Sequence, residues 1–73
     1  MIKYTPLWNT MKKKGITTYT LIYKIGMSSS TVHRLRHNKG ISTLLINDLC
    51  QILDCRVEDI LVYEPNEDKS EKK

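Results

Sequence analysis

Seventy-three residues with 40% hydrophobic side chains bury one modest core and no more; with no Phe and a single Trp, Trp8, aliphatic side chains must fill it. The net charge of +4 is unevenly spread: residues 1–63 hold nine Lys or Arg against four Asp or Glu, whereas residues 64–73 hold three against four. No stretch approaches the roughly 20 apolar residues of a membrane-spanning helix and Met1-Ile2-Lys3-Tyr4 starts nothing like a secretion signal, so a soluble, cytoplasmic chain with no membrane partner is expected.

Thr5-Pro6 opens the first predicted helix, with Thr5 supplying a capping hydroxyl and proline sitting in the first turn, where its missing N–H is harmless. Leu7, Trp8 and Met11 share one face. Lys12-Lys13-Lys14 closes this helix before Gly15, three cations suited to the negative end of the helix dipole. Thr17 is the predicted N-cap of a second helix, because its hydroxyl can accept from an otherwise unpaired backbone N–H. Leu21, Ile22 and Ile25 form its inward arc, and Tyr19 and Tyr23 share its outward side. Gly26 stops it, since a residue without Cβ enters the left-handed region at little cost. Met27 then drops back into the core and Ser28 caps the next helix.

That third helix, Ser29 to His37, carries the most information. At about 100° per residue, Ser29, Ser30, His33, Arg34 and His37 fall within an arc of about 140°, while Val32 and Leu35 fall on the opposite side. Two inward apolar residues make the narrow stripe of a docked surface helix. The other side offers two hydroxyls, two imidazoles and a guanidinium.

Ser42 is the predicted N-cap of a fourth helix whose inward arc is Leu45, Ile46, Leu49, Cys50, Ile52 and Leu53. Asn47, Asp48 and Gln51 face outward, and Leu44 falls among them as an exposed apolar side chain or part of a partner surface. Ile60, Leu61, Val62 and Tyr63 are β-prone, as are Ile2 and Tyr4, so the two ends are read as a short antiparallel ribbon. Pro65 ends it. The folded domain is set at residues 1–63, and 64–73 is read as a disordered charged tail without the apolar residues to fold.

From Thr17 to Asn38 the chain resembles the helix-turn-helix of the lambda repressor and Cro-like family, and the small stand-alone transcriptional regulators within it. Leu21, Gly26, Ser28, Thr31, Val32 and Leu35 fall where that family places its leucine, turn glycine, capping serine and buried third-helix residues. Ile41 to Leu61 resembles the fourth helix, connection and fifth helix of the same domains. The likeness spans roughly three quarters of the chain and implies an all-α domain of five short helices. Ile22 departs from the family's small alanine, and Thr18 stands where a phosphate-contacting glutamine is common.

The resemblance implies a regulator, a repressor by expectation, that binds double-stranded DNA by inserting the helix around residues 29–37 into the major groove. Ser29, Ser30 and Arg34 match the family's base-reading positions, Arg34 with a guanidinium that can bond guanine O6 and N7 together. His33 is expected to read a base or a phosphate, or, as a lone exposed histidine, to do neither. Thr18 and Ser28, at helix N-termini, are expected to grip phosphates beside His37, Asn38 and Lys39, contacts that position rather than specify. The basic excess agrees with this, since cations on the surface release counterions from the phosphate backbone. The bland reading of Arg34 is a solvated charge paired with a carboxylate. Specificity from so small a module calls for two copies on adjacent half-sites, so a homodimer is expected. Tyr19 and Tyr23, with Leu44 or the terminal ribbon, are candidate surfaces for it. The competing reading is a protein-interaction or antitoxin-like module that keeps the scaffold and binds protein through those tyrosines.

Two further constellations are weighed and set aside. His33 and His37 with Cys50 and Cys55 match a tetrahedral zinc site in number. The histidines, however, face outward while Cys50 lies on an inward arc, so no metal is expected and the thiols are read as buried and reduced. The hydroxyl cluster at Ser28-Ser29-Ser30-Thr31 has no base and orienting partner in its pattern, and there is neither a glycine-rich phosphate loop nor a carboxylate pair. A non-enzyme without a cofactor is expected.

Overall fold

Capping chemistry decides where the helices begin. The computed structural model describes residues 1–65, so residues 66–73 of the expected tail lie outside them. In chain order it has a strand β1 (Ile2–Lys3) and helices α1 (Thr5–Lys14), α2 (Thr18–Tyr23), α3 (Ser29–Arg36) and α4 (Thr43–Leu53). A 3-10 turn (Val57–Asp59) and strand β2 (Val62–Tyr63) follow. Thr17, Ser28 and Ser42 each accept through the side chain from the N–H three residues on, at 3.3, 3.2 and 3.1 Å, as the sequence predicts.

The first helix begins differently. Tyr4, not Thr5, is the N-cap of α1 and makes no side-chain capping bond, and Thr5 is already helical with Pro6 in the first turn. The reason lies elsewhere in the fold: the Tyr4 ring is buried in the core, and its hydroxyl donates to the Lys39 carbonyl at 2.7 Å. At the other end Gly15 takes the left-handed conformation (φ 71°) behind the three lysines of the last turn.

Helix α2 stops at Tyr23, earlier than its apolar spacing suggests. The Ile25 N–H reaches back to the Thr20 carbonyl (3.1 Å) and the Met27 N–H to Leu21 (2.9 Å), with Gly26 between them at φ 93°. Ile25 therefore lies past the helix and is exposed, whereas Met27 returns to pack on the core. Ile52, placed inward by the wheel, is exposed as well; Ile25, Met27, Leu45 and Ile52 line one shallow groove between the turn and α4.

In place of a fifth α-helix the chain makes a single 3-10 turn. Asp54, left-handed at φ 52°, ends α4, and Ile60 is already buried just before β2. Only one turn fits between. It is held by the Arg56 N–H donating to Asp59 Oδ2 (3.1 Å) and tied to α1 by the Thr10 hydroxyl donating to the Asp59 carbonyl (2.9 Å). The core is Tyr4, Leu7, Met11, Leu21, Leu35, Leu49, Leu53 and Ile60, all buried, with Trp8, Ile16 and Leu45 packed against it. Deleting any one of these leucines to Ala is worth about 2–5 kcal/mol.

The two ends do pair as an antiparallel ribbon, Ile2 opposite Tyr63 and Lys3 opposite Val62. Glu64 continues it: its N–H donates to the Met1 carbonyl at 2.9 Å and its carboxylate lies 3.3 Å from Lys3 Nζ. Tyr4, next in the chain after β1, ties this ribbon to the loop that leaves α3. There Asn38 is left-handed (φ 55°), and its Oδ1 accepts from the Tyr4 N–H at 3.0 Å.

Replacing Asn38 separates these two contributions in urea denaturation. Asn38→Gly keeps the left-handed turn but loses the acceptor for Tyr4, a loss of about 1 kcal/mol. Asn38→Ala should lose about a further 1–2 kcal/mol because Cβ penalises positive φ; equal losses would show that the turn is not held left-handed. Tyr4 generates a pH dependence. Burial raises its phenol pKa above the ordinary tyrosine value, so the folded chain keeps a proton that the unfolded chain releases. Stability is then full below the ordinary tyrosine range and falls as pH climbs through it toward the raised value. In denaturation curves taken from neutral to alkaline pH, Tyr4→Phe should show a flatter decline.

Candidate nucleic-acid interface

Val32 and Leu35 are buried and seat α3 on the bundle, which turns the rest of the helix outward. Ser29, Ser30, His33, Arg34, Arg36 and His37 are all exposed. At the front of the helix the Ser28 hydroxyl is within 3.2 Å of Ser30 Oγ and 2.9 Å of Thr31 Oγ1, besides accepting the Thr31 N–H. The three hydroxyls form one linked group around the helix start. One turn on, the His33 and His37 rings lie face to tilted face, centroids 4.2 Å apart at 44°. Arg34 lines a shallow notch with Thr31, Gly40 and Ser42.

The residues singled out for phosphate contact are more scattered in environment. Ser28, His37 and Lys39 are exposed. Thr18 is half-buried, and its hydroxyl accepts from Arg36 Nη2 at 3.1 Å. Asn38 points its side-chain carbonyl inward to Tyr4, so that oxygen serves the fold. Arg36 is the side chain that helical spacing does not single out: it sits at the edge of the polar arc, and only the fold reveals that it reaches α2.

A plainer signal lies in the order of charges. No Asp or Glu precedes Asp48, while eight Lys or Arg do. Helices α1 and α3 therefore carry cations alone, and α2 carries no charged side chain. The ion pairs among the described residues are Lys3–Glu64 and Arg56–Glu58, neither of which draws on α2 or α3. Arg34 thus has no carboxylate partner among the described residues. Asp48, on α4, borders the groove beside Ser28 and Thr31.

The thiols lie apart from this surface, at the end of α4. Cys50 and Cys55 are free and half-buried, and the Cys55 thiol pKa is pushed up first by burial, then by the neighbouring Cys50 and Asp59. Among the described residues no three His, Cys, Asp or Glu side chains are grouped to hold a metal. No helix there is long and apolar enough to cross a membrane.

A family model described as a Cro/C1-type HTH DNA-binding domain matches residues 6–66. The fold is similar to the crystal structure of the transcriptional regulator VanUg (Form II), with a TM-score of 0.80 and 26% identity over 89% of this chain and 87% of that one. No curated protein matches the chain.

The geometry at the front of α3 yields a stability test. Ser28→Ala removes both the cap and the hinge of the hydroxyl group and should cost about 1 kcal/mol in chemical denaturation. Ser29→Ala, one position on and exposed, should change stability by less than about 0.5 kcal/mol. Equal effects would mean that the Ser28 hydroxyl is not acting as a cap.

Proposed function

Because the chain belongs to the Cro/C1-type helix-turn-helix DNA-binding family, we propose that it is a sequence-specific regulator of transcription that lays α3 in the major groove of duplex DNA. The observation that carries this reading is the exposed, hydrogen-bonding face of α3, set in a run of 47 residues without a carboxylate. Cations of α1 and α3 draw in the phosphate backbone and supply affinity that is blind to sequence. Ser28 and Thr18, with His37, Asn38 and Lys39 behind the helix, contact phosphates and fix the register. Ser29, Ser30, His33 and Arg34 then meet base edges. Arg34 reads a guanine through two parallel N–H donors, a discrimination of about 1–3 kcal/mol, while the serines adapt to several bases.

The chain acts as a homodimer in the cytoplasm, since one module of this size covers only about 600–1,000 Å² of DNA. Two copies set about one helical turn apart read a palindrome. Occupancy of such a site alone suffices to repress. That VanUg is a transcriptional regulator supports the assignment. A second reading has its own observation: Tyr19 and Tyr23 are 62% and 71% exposed and stacked at 4.8 Å, an aromatic pair suited to a protein partner. Under that reading the scaffold is an interaction or antitoxin-like module.

Selection of bound duplexes from a random pool separates the two. The wild type should enrich a palindromic motif, Arg34→Ala should lose preference at one guanine per half-site and Ser30→Ala at a neighbouring position. Binding should weaken by orders of magnitude between about 50 and 200 mM salt. No enrichment, together with a salt-insensitive protein partner abolished by Tyr19→Ala, would establish the interaction module instead.

A further inference from the structure

Arg36 lies outside the set of side chains that the resemblance marks for DNA, yet it joins the two helices of the motif. It is the last residue of α3 and falls about 40° from Val32 on the wheel, at the border of the polar face. Its guanidinium crosses to α2, where Nη2 donates to Thr18 Oγ1 at 3.1 Å. Arg36 is exposed and has no carboxylate partner among the described residues, and nothing acidic precedes Asp48 in the chain.

The direction of that hydrogen bond matters. Thr18 oxygen accepts, so its own hydrogen remains free to be donated elsewhere. The guanidinium, with five N–H groups in a planar fork, commits only one of them to Thr18. Lys12 lines a groove together with Thr17 and Thr18, so a second cationic residue belongs to the same side of the molecule. What the junction offers is therefore donors and positive charge, a match for the anionic oxygens of a phosphodiester.

We propose that Arg36 and Thr18 form one seat for a DNA backbone phosphate, in which the phosphate bridges α2 and α3. The inference rests on the DNA-binding reading above and names the cation that holds this phosphate. The seat lies open on the surface, so a free phosphate has no further wall to hold it; on a duplex, the base contacts of α3 deliver the phosphate to it. In this role Arg36 acts without reading sequence, in contrast to Arg34.

The test uses the intact chain, the selected duplex and a random-sequence duplex, titrated by fluorescence anisotropy over a salt series. Arg36→Ala should lower the slope of log affinity against log salt by about 1 per bound protomer, weakening both duplexes by the same factor. The motif preferred in selection should stay unchanged. Arg36→Lys should retain most of the slope yet bind more weakly, because an ammonium lacks the fork. Thr18→Val should weaken the wild type but add little to Arg36→Ala, as expected of two groups on one phosphate. Inorganic phosphate should compete no better than chloride at equal ionic strength; selective competition would make the seat a free-anion site and overturn the proposal. An unchanged salt slope in Arg36→Ala, with a lowered melting temperature, would show that Arg36 only joins helices and would overturn it too, leaving the DNA reading intact. Failure of the wild type to bind any duplex in dilute buffer would overturn both.

Discussion

Tyr4 holds the molecule in register. Its backbone N–H is taken by the Asn38 side chain and its hydroxyl by the Lys39 carbonyl, so one residue near the start of the chain grips the loop that leaves α3 at two points. The ring meanwhile is part of the core with Leu7, Leu35 and Leu49. This arrangement explains why α1 starts without a hydroxyl cap: the residue in the capping position is committed elsewhere. It also explains the ribbon. With Tyr4 pinned, Ile2 and Lys3 lie where Val62 and Tyr63 can pair with them, and the return of the chain to meet them buries Ile60.

Much of this architecture was legible in the sequence because it rests on local chemistry. Thr17, Ser28 and Ser42 cap their helices through bonds that span three residues, and Gly15 and Gly26 take positive φ where each helix runs out. Period alone turns Val32 and Leu35 inward, and both are buried. What was not legible depends on residues far apart in the chain. Tyr4 takes the cap position from Thr5 because of Lys39, and the expected fifth helix shrinks to one turn because Asp54 and Ile60 leave no more room. Ile25 lies past the end of α2 and, with Ile52 of α4, flanks a groove instead of filling the core.

The candidate surface shows the same division. A wheel suffices to gather Ser29, Ser30, His33, Arg34 and His37 on one side, and the fold leaves that side open. No wheel predicts that Arg36 bends toward Thr18, because the end of a long side chain goes where its partner is. The charge asymmetry required no structure at all, only attention to where the first carboxylate falls. The assignment of particular residues to bases or phosphates comes from family likeness, since exposure alone does not distinguish a reading residue from a solvated one.

Helix α3 is fastened at its front by Ser28 and at its rear by the grip of Tyr4 on the loop behind it. Such a helix has no coil-to-helix ordering left to complete when it meets another surface. Whatever it docks against, the enthalpy of association should change only modestly with temperature, reflecting desolvation of the contact alone and lacking the large negative heat-capacity signature of a segment that folds as it binds.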